Sequence, residues 1–537
     1  MYKNFSRIVS IFLSLLLMLS FAGCTKSEKG DQQSSNAGSS STSTQAASTS
    51  EQDKQYTLDF VGMSYAPIKD DAPVKEFLED KFNVKLNMIY VDPTKYNELM
   101  SLKFANNEIP DVFWCQDMPT YMQWVNQDVL AEIPLDTIRK YAPNVAAQYD
   151  EYSKKDKNIW NYGIVNGKNY GIGSIWVDGE YHRPVVWRTD WLKNVGIDKI
   201  PETIDEFETA LYKFANEDPD KNNKKDTYGL SVNGLDAIYG ISGYFPYTWS
   251  DKGGQLVYGS VQPEMKEVLK RLAKWYKDGV ISPEFVTGEN QGGYWAISHA
   301  FVNGKIGLSC LGCYYHWNPP YYAGGQESQN YSNFKKIQGE NATYDFGRPA
   351  IGSDNKTGMK MLGLSGSFYS FGKQMEEDQG KMIKVLEIAN SISGDYDTYL
   401  NTKYGVKGTN WDMSERQEPK LKEEFKAVDA LYGIGAGCTF MLFESPAFVK
   451  KANPSAYEFA GKVCNHEMYV NKLGTTVLTS SPQYQADLEK LEEEAFYKLI
   501  SGEKPIDYFD EFVKEWENKG GAQLTKEANE WYSNLPK

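Results

Sequence analysis

The chain has 537 residues, which is too long for one hydrophobic core, so its length predicts at least two domains. It carries 57 Lys and Arg against 72 Asp and Glu, a formal net charge of −15, and no basic run, which argues against nucleic acids and anionic lipid surfaces as partners. It contains only four His residues, which disfavours a catalytic or metal site built on histidine.

The first 23 residues have the pattern of a secretory signal peptide. Lys3 and Arg7 flank the start of an apolar run over 8–21, and small residues lead up to Cys24. The run is too short for a membrane-spanning helix, and a Cys directly after Ala-Gly resembles a lipobox, where a bacterial lipoprotein is cleaved and lipidated. We therefore predict that a lipid on Cys24 anchors the chain to the extracellular face of the cell membrane, or to the periplasmic face if the host has an outer membrane. An ordinary signal peptide with a coincidental Cys is the alternative.

Residues 24–55 are predicted to form a disordered Ser/Thr-rich tether. Positions 25–55 contain no aromatic residue and no Val, Ile, Leu or Met, so the segment buries too little apolar surface to offset its chain entropy. As a flexible coil it spans roughly 30 Å, which lets a folded body approach a membrane partner.

The body begins with alternating strands and helices. Apolar patterning predicts strands at 57–61, 84–91 and 110–114, with helices starting at Pro73 and Thr94. This alternation is typical of a doubly wound α/β layer, in which ligands bind beyond the carboxyl ends of the strands. The loops at 63–65 and 114–117 are therefore candidate ligand contacts.

Helix signals continue along the chain. Thr203 and Glu206 form a capping box in front of an apolar stripe, which predicts a helix start. Pro263 opens another helix that Gly279 ends. Two amphipathic helices are predicted near the C-terminus, at 484–500 and 506–517.

Five segments, in this order and behind a lipobox, resemble the extracellular solute-binding proteins of ABC importers. They resemble family 1, in the saccharide-type lipoprotein branch that includes alginate-binding proteins. The segments are Asn-Asn-Glu-Ile-Pro-Asp-Val-Phe at 106–113, Trp-Arg-Thr-Asp-Trp-Leu at 187–192, the block at 275–285, Phe-Val-Asn-Gly-Lys-Ile-Gly-Leu at 301–308, and Tyr-Gly-Val-Lys-Gly at 404–408.

The resemblance implies a two-lobed α/β fold of the periplasmic-binding-protein type II, with the ligand held in a cleft between the lobes and a helical C-terminal region. It implies that the chain crosses between the lobes near 170–175, 303–308 and 362–371. We therefore assign 56–172 plus 304–362 to an N-terminal lobe, and 173–303 plus 363–537 to a C-terminal lobe.

The segment 218–226 has the spacing of a calcium loop. Oxygen donors stand at positions 1, 3, 5, 7 (through the backbone) and 9: Asp218, Asp220, Asn222, Lys224 and Asp226. The pattern fails at position 12, where Gly229 replaces the bidentate Glu. In the family that the chain resembles, a similar loop binds a structural Ca²⁺, and we predict the same here. The alternative is a polar loop without metal.

Aromatic clusters at 244–249, 294–295 and 314–317 are the second candidate site. The chain has 37 Tyr and 13 Trp, whose flat apolar faces and polar groups suit stacking on sugar rings. For any one of these residues, packing in a core is the alternative. We rank Trp317 first among the aromatic candidates, and Asp178 and Glu180 are further polar candidates. The predicted ligand-binding residues are Trp114, Gln116, Asp117, Trp176, Arg183, Trp249, Trp295, Tyr315, Trp317, Trp411 and Glu444.

Besides Cys24, five cysteines remain, and Cys310 and Cys313 form a single CxxC. Buried thiols, one disulfide, and a redox or metal role are the alternatives.

We predict a monomeric, lipid-anchored solute-binding protein that captures an oligosaccharide or polysaccharide fragment and delivers it to an ABC transporter permease. The sequence has no nucleophile elbow, HExxH motif or phosphate loop, so we do not predict an enzyme. The alternatives are a peptide- or other-solute-binding lipoprotein of an ABC importer, and a lipoprotein enzyme that acts on glycosides.

Overall fold

Two β-sheets organise the described part of the chain, each with apolar residues packed against both of its faces. A computed structural model describes residues 54–287, 291–292, 297–322, 327–474 and 476–535. The predicted signal peptide, Cys24, nearly all of the predicted tether and Trp295 lie outside these ranges.

The first sheet has five strands and forms the first lobe. Ser365–Phe371 runs antiparallel to both of its neighbours, and the remaining strands share one direction. The alternation predicted over the first 60 residues of the body is confirmed. In spatial order the strands are Val84–Met88, Tyr56–Val61, Val112–Cys115, Ser365–Phe371 and Gly171–Ile175.

The second sheet has four strands and forms the second lobe. Val185–Arg188 runs antiparallel to both of its neighbours, and Ile306–Ser309 pairs in parallel with Tyr228–Leu230. In spatial order the strands are Tyr344–Gly347, Val185–Arg188, Ile306–Ser309 and Tyr228–Leu230.

The predicted lobe boundaries are wrong after residue 303. We assigned 304–362 to the N-terminal lobe, but Ile306–Ser309 and Tyr344–Gly347 belong to the second sheet. We assigned 363–537 to the C-terminal lobe, but Ser365–Phe371 belongs to the first sheet. Hydrogen-bond pairing between distant segments decides which sheet a strand joins, and the local pattern of these strands carries no information on that pairing.

Short two-stranded ladders complete the β-structure. They pair Ile164–Val165 with Lys168–Asn169, Trp249–Lys252 with Gln255–Tyr258, Gln291–Gly292 with Ile297–Ser298, Met359–Lys360 with Met468–Tyr469, and Trp411–Met413 with Pro419–Leu421.

The α-helices pack around the sheets. Among the described residues they are Pro73–Phe82, Tyr96–Ala105, Met118–Asn126, Leu135–Tyr141, Pro143–Tyr152, Thr189–Asn194, Ile204–Asn216, Asp236–Tyr239, Pro263–Lys277, His299–Val302, Gln329–Gln338, Gln379–Gly394, Tyr396–Tyr404, Val428–Gly433, Pro446–Ala452, Pro454–Val463, Ser481–Ser501, Tyr508–Trp516 and Ala522–Ser533.

Local sequence signals account for several helix ends. Thr203 Oγ1 accepts the backbone N–H of Glu206, and the Glu206 carboxylate accepts the N–H of Thr203, which confirms the predicted capping box. Pro263 occupies the first turn of its helix, and Gly279 lies just beyond the end with φ of 75°, a left-handed geometry that favours glycine.

None of the five cysteines within the described ranges forms a disulfide. Cys310 and Cys313 are both buried. No helix in the described part of the chain is long and apolar enough to span a bilayer.

Candidate ligand-binding cleft

The strand directions place loops from both sheets at the junction between the lobes. In the first sheet, the strands that end at Val61, Cys115 and Ile175 run in the same direction, so the residues that follow them share one edge. In the second sheet, the segments after Leu230 and Ser309 share an edge in the same way. Such edges are where α/β sheets bind ligands.

The chain crosses between the two sheets in the segments 176–184, 348–364 and 464–480. The backbone N–H of Trp176 donates to the carbonyl of Leu364 at 2.9 Å, which joins two of these segments. A Cβ on Gly179 would lie 1.8 Å from the carbonyl oxygen of Gly363, so this approach requires glycine at 179. The crossing segments therefore form one closely packed junction.

Asp178 is the centre of a tyrosine cluster at this junction. Its Oδ1 accepts the hydroxyl of Tyr314 at 3.1 Å and the hydroxyl of Tyr457 at 2.8 Å. Tyr315 packs edge-on against Tyr314 with ring centroids 5.1 Å apart, and 40% of Tyr315 is exposed. We call these four residues the Asp178 cluster. In this cluster the exposed ring of Tyr315 packs on Tyr314, which Asp178 holds in place by a hydrogen bond.

The first lobe contributes its own rings at and just beyond the ends of its strands. Tyr65 follows the strand Tyr56–Val61, is 44% exposed, and packs edge-on against Tyr432 at 5.7 Å. Trp114 is half-buried and packs against Tyr96 at 5.2 Å.

Charged groups accompany the rings. Arg183 pairs with Asp236 at 2.5 Å, and Trp176 packs edge-on against His182. His182 is buried, and this burial, together with the nearby Arg183, lowers the pKa of its imidazole to about 3. His182 is therefore neutral near pH 7.

A cavity of about 240 Å³ lies between the lobes, beside the start of the helix Met118–Asn126. Met118 and Pro119 line it from the first lobe, and Tyr247, Trp249 and Glu489 are among the residues that line it from the second. We call it the Tyr247 cavity. A larger one, of about 870 Å³, runs along the crossing segments, and its walls combine charged residues such as Lys155 and Glu180 with apolar ones such as Leu364.

Trp317 and Trp411, which we predicted to stack on sugar rings, are core residues in the structure. Trp317 is fully buried between Phe301 and Tyr344, and its indole N–H donates to the carbonyl of Leu311 at 2.6 Å. Trp411 is 2% exposed, with its indole N–H donated to Gly405. Neither ring presents a face to the cleft, so the alternative of core packing applies to both, including the residue ranked first.

The polar candidates lie in different settings. Gln116 is half-buried and Asp117 is exposed, where it caps the next helix by accepting the N–H of Thr120 at 2.8 Å. Glu180 pairs with Lys155 at 2.8 Å, at the rim of the larger cavity.

Among the exposed rings and their supports, sequence reasoning did not single out Tyr65 (named only within a loop), Tyr432 or Tyr457. The position of Tyr65 after a predicted strand was a usable signal. Tyr432 and Tyr457 come from C-terminal segments that only the folded chain brings to this junction.

The predicted calcium loop is exposed and folds around Asn222. The Asn222 amide donates to Asp220 at 2.8 Å and to Asp226 at 3.1 Å, and its backbone N–H donates to Asp218 at 3.1 Å. Burial and the nearby Asp218 carboxylate raise the pKa of Asp220. In this conformation no three His, Cys, Asp or Glu residues of the described ranges are placed to hold a metal ion. The candidate donors are nevertheless all oxygen atoms, which Ca²⁺ prefers as ligands. The Asn222 amide joins two of them, the carboxylates of Asp220 and Asp226, by hydrogen bonds.

Residues 65–309 match the family model described as bacterial extracellular solute-binding protein. The chain is similar to the polygalacturonan/rhamnogalacturonan-binding protein YtcQ of Bacillus subtilis (strain 168), with 26% identity over 98% of this chain and 98% of YtcQ. It is 23% identical to lipoprotein LipO of the same organism, over 86% of this chain and 89% of LipO. Among solved structures, an EF-hand mutant of the ABC-transporter substrate-binding protein FusA of S. pneumoniae, in complex with fructo-nystose, has a TM-score of 0.61 at 14% identity, over 89% of this chain and 99% of FusA.

The fold is two-lobed and resembles that of periplasmic binding proteins. The match over residues 65–309 bears out the resemblance to extracellular solute-binding proteins that the sequence segments predicted.

Proposed function

We propose that this chain captures an oligosaccharide or polysaccharide fragment in the cleft between its lobes and delivers it to the permease of an ABC importer. The observation that carries the proposal is the pair of exposed tyrosines on opposite lobes, Tyr65 on Tyr432 and Tyr315 on Tyr314. Sugar rings stack on aromatic faces of this kind. The name of the relative YtcQ specifies polygalacturonan and rhamnogalacturonan, which also favours a saccharide.

Polar groups between the rings would orient the ligand. The Asp178 carboxylate lies in the segment 176–184 and accepts hydrogen bonds from two tyrosine hydroxyls. Arg183 lies in the same segment and pairs with Asp236. Sites of this composition, with a few polar groups among apolar rings, are typical of small-molecule clefts. We keep Trp114, Gln116, Asp117, Trp176, Arg183, Trp249 and Tyr315 as proposed contacts. Glu444 is not kept, because it is buried in an ion pair with Lys403.

Binding without bond cleavage is the proposed mechanism. The lobes would close around the crossing segments, and the ligand would shift the population toward the closed form that the permease accepts. A peptide or another solute in the same cleft is the alternative ligand.

We propose a structural Ca²⁺ in the loop 218–226. The oxygen donors joined by Asn222 support it, and so does the similarity in fold to FusA, whose solved structure is that of an EF-hand mutant. Lys305 lies 3.5 Å from Asp226 and would have to move away from a bound cation.

We propose that Cys24 carries the lipid anchor. The name of the relative LipO, a lipoprotein, supports this. Cys24→Ser should abolish incorporation of a labelled fatty acid into the chain, and labelling of the variant equal to that of the wild type would contradict the anchor.

Titration of intrinsic tryptophan fluorescence in the full chain, against a panel of neutral and acidic oligosaccharides, tests the main proposal. A saturable change with one class of sugar, and recovery of the same sugar uncleaved after heating, is the expected result. A folded chain that responds to no sugar but binds peptides would overturn it, and cleavage of the sugar would show an enzyme.

A further inference from the structure

We propose that Lys360 and Tyr247 form a subsite for an acidic sugar, a pyranose ring that carries a carboxylate. The inference rests on the proposed saccharide function and narrows its ligand to an oligosaccharide that contains a uronic acid. Tyr247 would take the ring face, and the Lys360 ammonium would take the carboxylate.

Lys360 differs from other cations near the cleft because no carboxylate neutralises it directly. Arg183 pairs with Asp236 at 2.5 Å, and Lys403 pairs with Glu444 at 3.0 Å. Within the described ranges, Lys360 has no acidic oxygen within 4.0 Å and no hydrogen-bond acceptor. Lys360 is nevertheless half-buried, at the end of the strand Met359–Lys360.

The surroundings only partly compensate this charge. Burial lowers the pKa of Lys360, and the largest opposing influence on this pKa is the charge of Asp236, which Arg183 already engages. Burial also raises the pKa of Glu492 to about 8, so this second acid is mostly uncharged near pH 7. Glu489 is exposed, where water and salt screen its charge. An anion from the ligand would supply the missing partner.

Tyr247 lies next to this ammonium and is held in an uncommon backbone conformation. The Nζ of Lys360 is 5.9 Å from the ring centroid of Tyr247, which is 38% exposed and lines the Tyr247 cavity. Its φ is 56°, which is costly for an aromatic residue and persists only where the surroundings enforce it.

A buried network enforces that conformation. The backbone N–H of Tyr247 donates to Ser260 Oγ at 2.9 Å, and the Ser260 hydroxyl donates to Glu492, which is fully buried. Tyr258 also donates to Glu492, at 2.9 Å, and its ring stacks on Trp516 at 5.0 Å. The network fixes an exposed ring next to an uncompensated cation, at a cavity that the first lobe closes with Met118 and Pro119. A ring face joined to a carboxylate matches both features, whereas a neutral sugar would leave the ammonium without a counter-charge.

The test compares trigalacturonic acid with its methyl ester, which has the same rings without the charge, by calorimetry on the full chain in detergent. We expect the wild-type chain to prefer the acid, and Lys360→Met to weaken binding of the acid by about 10- to 100-fold while binding of the ester stays unchanged. The control is Lys356→Met, four residues away, which removes a lysine that is already paired with Asp354 at 3.0 Å and should leave the preference intact.

Added salt should reduce the preference of the wild-type chain and not that of Lys360→Met. The subsite is overturned if Lys360→Met retains the wild-type ratio of affinities, or if the wild-type chain binds neutral oligosaccharides and rejects the acid. A chain that binds no saccharide of either kind overturns the proposed function, and the subsite with it.

Discussion

Lys403 holds the carboxylate of Glu444 in a buried ion pair, with its Nζ 3.0 Å and 3.2 Å from the two oxygens. Lys403 lies near the end of the helix Tyr396–Tyr404, and Glu444 follows a short turn 41 residues later. The Glu444 side chain is only 7% exposed, and that of Lys403 is 23% exposed. The pair therefore joins two segments of the first lobe through charges largely removed from water.

Glu444→Ala should destabilise the chain by about 3 kcal/mol, because it leaves the Lys403 ammonium buried without a partner. Denaturant unfolding followed by circular dichroism measures this loss. The matched control is Glu423→Ala, which breaks a Glu–Lys pair of 2.6 Å on the surface, where Glu423 is 85% exposed, and should cost little. Equal losses of unfolding free energy in the two variants would contradict the expectation that burial makes the Lys403–Glu444 pair matter more than a surface pair.

Glu492 should make stability fall as pH rises. Its folded pKa of about 8 lies above the unfolded value of 4.5, so between these pH values the unfolded chain has released a proton that the folded chain retains. Each pH unit in this window removes about 1.4 kcal/mol of stability relative to a chain without the group.

Glu492→Gln imitates the protonated side chain and should remove this contribution. Thermal melts of both chains from pH 5 to pH 9 test the expectation. The melting temperature of the variant should rise relative to that of the wild type as pH rises. Parallel pH profiles would show that Glu492 is ionised in the folded chain throughout.

Asp218→Ala should lower the melting temperature only when Ca²⁺ is present. A cation bound to the folded chain stabilises it by mass action, and that gain disappears when a donor is lost or EDTA is added. Asp198→Ala, at a site outside the loop, is the control. Equal losses for Asp218→Ala with and without Ca²⁺ would rule out a bound cation.

Tyr315→Ala should weaken saccharide binding by about 2- to 10-fold, because it removes the exposed ring of the Asp178 cluster. Tyr315→Phe keeps the ring and should bind nearly as the wild type does. Fluorescence titration with the best ligand of the panel measures both. A loss in the Phe variant as large as that in the Ala variant would indicate that the hydroxyl, and not the ring face, makes the contact.

Much of the local structure was predictable because it depends on neighbours a few residues apart. The helix that opens at Pro73 and the capping box at Thr203 follow from proline geometry and from a side chain three residues away. The family segments are also local, and they identified the class of fold before any strand was placed.

The assignment of strands to lobes was not predictable in this way. Ile306–Ser309 and Ser365–Phe371 are both short apolar strands, and each was assigned to the wrong lobe. Their partners, Val185–Arg188 and Val112–Cys115, lie more than 100 residues away in the chain. Only pairing in three dimensions distinguishes them.

The sequence by itself carries the predicted address signal, the α/β class, the family resemblance and the spacing of the oxygen donors in the loop 218–226, since each of these is a pattern within a short segment. The tertiary structure decided which rings are core and which are exposed. Trp317 is enclosed by Phe301 and Tyr344, while Tyr247 is held outward by Ser260. The physical reason is that burial is a property of contacts between distant segments, and an aromatic residue has the same local pattern whether its face meets a core or a cleft.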